Sequence, residues 1–488
     1  MAALVQDPIL SAFGAVLHRA PEAPLLLAQG RAVTVGEVDA LAHQVGELLA
    51  ARPGGFAPHE VVALAACNGP GLPAALLALW RCGLPALLLD AHAPEAEARR
   101  IARSLGAATV LSCHGSWPES AAGFALSPSR DEWGEAAPRC LPGVAVVKLT
   151  SGSTGAPRGI ATPAAALVAD DAALRCAMGL RQGDRLLAAI PMSHSYGLSS
   201  LLLPALLRGT PLVLPEEGCL LAPFTAAQAL GATVFPTVPA YIEALLNLSQ
   251  PPVWPPSLRL VIAAGAPLQP ETARRFRETF GLPIHVFYGA SECGGICYDR
   301  EGDAGERGTV GTPVPGVEIE LLPCGGARGV ARGGKVAVRS PAVAAGYLPD
   351  ADGRLTDGRF ETSDFACWAE GELSLGGRLD DLINVKGKKV DPREVETVLA
   401  RLPGVSEVAV LGVPLPARGA EQVRAVIACR PGELSSEQVL GWCRGHLAPH
   451  KVPRSVILVP AIPRTARGKI DRPALLTLAG GARPAAEG

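Results

Sequence analysis

Four stretches of this chain hold residue types spaced for phosphate and carboxylate chemistry. The run LTSGSTGAPRG at Leu149–Gly159 places Thr150, Ser151, Gly152, Ser153, Thr154 and Gly155 in succession behind the apolar segment VAVV at 144–147. Glycine lets backbone N–H groups turn inward with no Cβ in the way, and hydroxyls add donors, which together make a nest for phosphate oxygens. The spacing is not that of a GxxxxGK[ST] loop, and a flexible Ser/Gly linker has the same composition. In VFYGASECGG at Val286–Gly295, an apolar strand ends in Tyr288 and Gly289 and is followed by Ser291 and Glu292. A tyrosine ring can stack on a purine, and a carboxylate beside phosphates is what Mg²⁺ takes. A strand followed by a polar turn accounts for the same residues. Asp364 stands in ETSDFACW, and Arg378 opens an Arg-x-Asp-Asp cluster in GRLDDLINVKGKKVDPREVE. An Asp at a strand end can accept both hydroxyls of a ribose, while an exposed cluster of this kind is also the pattern of a solvated ion-pair turn. Lys469 sits in the glycine-containing loop PRTARGKIDR. Its ammonium can serve as a point charge on a phosphate, or the loop can be a basic surface loop.

These residues need a framework, and the hydrophobic pattern supplies one. Asp39–Ala51, Leu72–Arg81 and Pro94–Leu105 have helical spacing. Val61–Ala66, Ala86–Leu89 and Thr109–Ser112 are short apolar runs between them. That alternation predicts parallel βαβ units. It continues through LLAAI at 186–190, PLVL at 211–214, ATVFPTV at 232–238 and RLVIAAG at 259–265, each closing near a Gly, Pro or small residue. In open α/β sheets, ligands bind outside such carboxyl ends. From 305 to 375, turns alternate with short strands (PGVEIEL, GGKVAVRS, EGELSLGGR), which predicts an antiparallel or barrel-like subdomain. A further change at Gly376–Asp381 opens a compact αβ unit with helices in PREVETVLARL and SSEQVLGWCRGHL and strands in SEVAVLGVP and RAVIACR. The tail 480–488, GGARPAAEG, is expected to be disordered.

Composition narrows the function classes. Of 488 residues, 48% are apolar and 18% charged, which gives a globular chain with ample core. A net charge of -2 implies neither nucleic acid nor an anionic membrane as partner. The apolar stretches near 71–90 and 198–214 are broken by Arg81, Arg208 and several prolines, so no membrane span is expected. Twelve cysteines are scattered with no CxxC, which fits a reducing cytoplasm and argues against a zinc site. The start, with Asp7, Pro8 and no basic run, does not resemble a secretory leader.

Taken together and in order, TSGSTGAPRG, PMSHSYGL, AAGAPL, YGASE, TSD, GRLDDLINVKGKKVDPREVE and PRTARGKIDR resemble the motifs of the adenylate-forming superfamily, over about residues 10 to 475. That superfamily holds acyl- and aryl-CoA synthetases, adenylation domains of peptide synthetases, and luciferases. The resemblance implies an α/β fold: a large N-terminal domain of α/β layers with a barrel-like subdomain (residues 1–377) and a small mobile α+β C-terminal domain (378–479). It implies ATP, Mg²⁺ and coenzyme A, and two half-reactions: acyl-AMP with pyrophosphate, then a thioester with release of AMP.

By matching position, Thr150–Gly155 resembles the pyrophosphate-side loop. Gly265, Ala266 and Pro267 resemble the adenine edge, with Tyr288, Gly289 and Ser291 completing the nucleotide site. Glu292 resembles the Mg²⁺ ligand, and Asp364 with Arg378 the ribose clamp. Asp380 resembles the hinge, Gly387 and Lys389 the path of the pantetheine arm, and Lys469 the lysine bridging carboxylate and α-phosphate. His194, a catalytic candidate, and Tyr196 match the gate, and Val238, Gly265, Gly289 and Gly294 the acid pocket. The chain departs from the family pattern in Arg158, where lysine is commoner, and in TSD for TGD. The gate has no aspartate to hold an ammonium group, so the expected acid is aryl or fatty rather than an α-amino acid, with the Tyr196 ring or hydroxyl facing it. Loading of an acyl carrier protein is an alternative second step. No GxDSL-like serine motif appears, so no carrier domain is expected. A non-catalytic nucleotide-binding relative is the reading from another class.

Overall fold

The computed structural model describes residues 7–115, 117–131, 134–135, 138–151, 157–323, 333–351, 353–356, 358–378, 383–385, 388–390, 392–414, 421–464 and 470–479. The chain forms two compact units. The larger comprises Met1–Glu320, Ala337–Thr362 and Trp368–Ser374, and the smaller Leu321–Val336, Ser363–Cys367 and Leu375–Gly488.

The larger unit is built on two mixed sheets. In the seven-stranded sheet the order is Gly346–Leu348, Pro157–Pro163, Val144–Ser151, Ala86–Leu89, Val62–Ala65, Thr109–Cys113, Phe124–Pro128. Its centre is parallel and its edges antiparallel. The nine-stranded sheet runs Thr312–Pro313, Gly294–Tyr298, His285–Ala290, Leu260–Ala263, Val234–Thr237, Leu186–Leu187, Leu212–Val213, Pro24–Ala28, Arg31–Thr34. Its parallel strands are short because both faces are covered and nearly every residue is apolar: VFPT and LVIA are buried at every position. Leu186–Leu187 is only two residues long, where a five-residue strand was expected; the backbone then leaves the ladder toward Pro191.

Two helices show how the pattern becomes packing. Val35–Ala50 starts four residues before the expected Asp39. Thr34 and Glu37 form a reciprocal capping box there, satisfying two otherwise orphaned N–H donors. Gly71–Arg81 is buried from Gly71 through Trp80, so it has no polar face. Its Trp80 Nε1 donates to the Ala145 carbonyl at 3.0 Å, joining the helix to the neighbouring strand.

Among the described residues, the stretch from 305 to 375 is mostly strand, opening with the end of the short helix Ala304–Arg307 and including the long strand Arg359–Ala369, which pairs antiparallel with Leu355–Thr356. Asp364 lies inside that last strand rather than at a strand end. In the smaller unit, Glu407–Pro414 pairs antiparallel with Glu421–Ala428, which pairs parallel with Ser455–Val459. Helices Pro392–Leu399 and Ser436–His446 cover this sheet through Val395, Leu399, Val439 and Cys443. No helix among the described residues is long and apolar enough to cross a membrane. Every described cysteine is a free thiol.

Helix Ala164–Met178 carries two adjacent buried carboxylates, Asp170 and Asp171. Burial pushes Asp171 up to about 6, opposed by its ion pair with Arg208. A folded pKa above the unfolded one gives stability that is complete at low pH and is lost as pH rises through about 6. Asp171→Asn should therefore gain stability relative to the wild type between pH 4 and pH 7, by up to about 3 kcal/mol. Denaturant midpoints of both proteins across that range check this. A constant difference would mean that Asp171 does not titrate there.

Candidate active site

Leu186–Leu187, Val234–Thr237, Leu260–Ala263 and His285–Ala290 are successive parallel neighbours, so their carboxyl ends share one edge of the sheet. Several of the residues singled out from the sequence fall at that edge. Ser193–Tyr196 follows the first strand, Val238 the second and Gly265–Pro267 the third, while Tyr288–Glu292 closes the fourth. Gly265 has φ +84°, a conformation that favours glycine, and a Cβ there would sit 3.8 Å from Val238 Cγ1. The two loops therefore touch. Gly265, Ala266, Pro267 and Gly289 are exposed, and Tyr288, Ser291 and Glu292 are half-buried, which leaves an accessible rim over a packed floor.

The segment that carries His194 and Tyr196 is held from both sides. Asn68, just past the strand Val62–Ala65, donates to the Ala188 and Ile190 carbonyls at 3.2 and 2.9 Å and accepts from Met192 N at 2.8 Å. Ser195 and Ser291 are hydrogen-bonded at 2.7 Å, tying the segment to the turn before Glu292. His194 Nε2 is 3.9 Å from Asp90 Oδ2, and that carboxylate also accepts from the His92 backbone at 2.9 Å. Gly197 is required by close approach, since a Cβ there would lie 2.1 Å from the Pro191 carbonyl oxygen. Tyr196 corrects one expectation. Its hydroxyl donates to the Ile262 carbonyl at 2.9 Å and its ring packs 5.7 Å from Phe287. Burial pushes its phenol up, and the hydroxyl is engaged with the main chain in this structure.

Thr150 and Ser151 are not loop residues. The strand runs Val144–Ser151 and its ladder with Pro157–Pro163 continues to the pairs Arg158↔Thr150 and Pro157↔Ser151. The hydrogen-bonded hairpin outlasts the apolar run that suggested an earlier end. Beneath it lies a cluster that hydropathy alone does not single out. Lys148 is buried in this strand, and Asp170 is buried on the facing helix, where it accepts from Ser199 Oγ at 2.6 Å and Gly295 N at 2.9 Å. Burial lowers Lys148 and raises Asp170, and each is partly held charged by the other. Gly294 borders this pair: its φ is +69° and a Cβ would stand 2.3 Å from an Asp170 oxygen. Glu292 accepts from the Tyr347 hydroxyl at 2.9 Å, and its main chain accepts from Ala344 N at 2.8 Å. The signals for the missed residues were a lysine inside an apolar strand, an Asp pair in a helix of small apolar residues, and the Gly346-Tyr347 pair.

Gly152, Ser153, Thr154, Gly155, Asp380, Gly387, Lys469 and the tail 480–488 lie outside the described residues, as do the side chains of Ser151, Arg378 and Lys389.

This edge is a parallel sheet ending in glycines, a tyrosine and a carboxylate, the place where open α/β sheets bind ligands. The chain belongs to the AMP-binding enzyme family, within the adenylate-forming superfamily. The family's model matches residues 13–348, and that of the AMP-binding enzyme C-terminal domain matches 394–469. The chain is 32% identical to the probable CoA ligase CCL9 of Humulus lupulus over 66% of this chain and 64% of that one, just short of two thirds of that relative's length. It is 28% identical to the sulfoacetate--CoA ligase of Cupriavidus necator over 93% and 95% of the two chains. Among solved structures it resembles ATP-bound MatB from Rhodopseudomonas palustris, with TM-score 0.81 and 24% identity over 96% of this chain and 98% of that one. The fold has a large N-terminal and a smaller C-terminal domain, as in that family.

Tyr196→Phe should cost about 0.5–1.5 kcal/mol of stability, the usual worth of one neutral hydrogen bond. It should leave the rank order of accepted acids unchanged. A reordered acid preference at intact stability would put the hydroxyl back in the pocket.

Proposed function

We propose that this chain is an acid–thiol ligase: it activates a carboxylic acid with ATP to acyl-AMP and pyrophosphate, then transfers the acyl group to coenzyme A. The observation that carries the reading is the gathering of Gly265–Pro267, Tyr288 and Glu292 at one sheet edge in a chain of the AMP-binding enzyme family. The names of the relatives reported above, both CoA ligases, favour coenzyme A over a carrier protein as acceptor. The described cysteines, all free thiols, suit a reducing compartment such as the cytoplasm.

In this reading the Gly265–Pro267 backbone and the Tyr288 ring receive the adenine, Asp364 and Arg378 the ribose, and Thr150–Gly155 the outer phosphates. Glu292 supplies a hard carboxylate oxygen, the donor Mg²⁺ takes together with phosphate oxygens. When bound, that ion would neutralise phosphate charge. Lys469 stands between the two anions that must meet, the substrate carboxylate and the α-phosphate. A cation there offsets their repulsion most strongly as charge builds in the transition state. Rotation at Asp380 withdraws Lys469 and brings Gly387 and Lys389 to the site for the thiol step, so residues 1–377 and 378–479 act as two moving parts. His194 gates the acid, whose body lies against Val238, Gly265, Gly289 and Gly294. An unpartnered buried ammonium costs several kcal/mol. Pro191–Leu198 itself offers no carboxylate and the nearby Asp90 faces His194, which favours an acid with no α-ammonium.

Lys469→Ala should lower acyl-AMP formation by about 10²–10³-fold, while thioester formation from supplied acyl-AMP is largely kept. Equal loss in both half-reactions would remove the two-position picture. ATP–pyrophosphate exchange across benzoate and cinnamate analogues, C6–C16 fatty acids, short dicarboxylic and sulfonated acids and the amino acids identifies the substrate class. Exchange confined to an α-amino acid would overturn the acid assignment, and no exchange with any acid would favour a binding protein.

A further inference from the structure

Glu292 is held by a residue from a strand more than fifty positions away. Tyr347 is buried on Gly346–Leu348, which pairs antiparallel with Pro157–Pro163 through Ile160↔Tyr347. Its hydroxyl donates to Glu292 Oε1 at 2.9 Å. Ala344, just before the same strand, donates its N–H to the Glu292 carbonyl at 2.8 Å, so the residue is gripped at both main chain and side chain. On the other side of Tyr347, the Arg158 guanidinium lies 4.0 Å from the ring centroid. Arg158 is itself the cross-strand partner of Thr150 in the hairpin that brackets the phosphate-loop motif. One buried ring thus joins the basic residue of that hairpin to the carboxylate at the end of His285–Ala290.

We propose that Tyr347 is a positioning residue that keeps Glu292 a one-oxygen metal ligand and thereby biases the site toward Mg²⁺ over larger divalent cations. This rests on the reading of Glu292 as the metal-binding carboxylate. With Oε1 accepting from Tyr347, rotation of the carboxylate is stopped and Oε2 is the oxygen left to face a cation. Among the described residues no other hydrogen bond or ion pair to this carboxylate is found. Mg²⁺ suits that arrangement, since it requires near-octahedral geometry and takes one or two carboxylates with phosphate oxygens and water. Ca²⁺ accommodates more ligands and accepts a carboxylate through both oxygens. The Arg158 cation stacked on the ring contributes too: attraction to its face holds the ring against swinging away.

The test measures binding rather than turnover. Affinity for a non-hydrolysable ATP analogue is determined by calorimetry with Mg²⁺, with Ca²⁺ and with EDTA, for the wild type, Tyr347→Phe and Glu292→Gln, alongside thermal midpoints. Phe keeps the ring and the Arg158 stack and removes only the donor. The expected result is that Tyr347→Phe binds the metal-free analogue as the wild type does, loses about tenfold in apparent Mg²⁺ affinity, and narrows the Mg²⁺-to-Ca²⁺ ratio. Glu292→Gln should lose most of the metal dependence. If Glu292→Gln loses it while Tyr347→Phe keeps wild-type Mg²⁺ affinity and ratio, the positioning role is wrong and the reading of Glu292 stands. If Glu292→Gln keeps the full metal dependence, both fall. A Tyr347→Phe protein whose thermal midpoint and metal-free affinity fall in parallel would show the hydroxyl to be a packing element, and would also overturn the proposal.

Discussion

Much of the architecture follows from the parallel ladder through Leu186–Leu187, Val234–Thr237, Leu260–Ala263 and His285–Ala290. Parallel pairing forces the chain to return over the sheet between strands, so every strand exits at the same edge. At that edge the backbone groups are released from the ladder, and loops of differing sequence come side by side. Gly265 against Val238, and Ser195 against Ser291, are direct results of this alignment. A strand shifted by one residue would turn its side chains to the opposite face and displace the residues that its carboxyl end brings to the rim.

Beneath the rim the chain accepts buried charge. The buried Lys148 feels the charges of both Asp170 and Glu292, and Asp170 has two further donors in Ser199 and Gly295. Such a group is costly when partnered badly and defines one arrangement when partnered fully. Here its partners come from a strand, a helix, the β-hairpin at Gly294 and the segment after Tyr196. The network therefore ties the segment carrying Ser199 to the hairpin that follows Glu292.

The framework was legible where burial is uniform. Ala86–Leu89 runs as its apolar residues predict, and the two helices and two strands expected in the smaller unit lie within a few residues of expectation, while Ser455–Val459 and Arg472–Leu478 were not foreseen. The early start of Val35–Ala50 was also readable, because Thr34-x-x-Glu37 is a capping signature. Tyr196 was not, since its acceptor, Ile262, lies 66 residues away and only the fold joins them. The same holds for Tyr347 and Glu292, separated by 55 residues. Local pattern reports periodicity and capping. Which hydroxyl meets which oxygen across a sheet is decided by topology, which a single sequence does not display.

The helix Gly71–Arg81 has a consequence for the order in which the protein can be made. With no polar face, it needs cover on all sides: the helix Val35–Ala50, made before it, packs along it, while the strand carrying Ala145 is made later. When residue 81 has just been made, the helix Val35–Ala50 is available to it, but the Trp80 indole N–H still lacks its acceptor, the Ala145 carbonyl. The packing of this helix is thus completed only once the chain extends past residue 145, so its last cover comes from a part of the sequence made well after it.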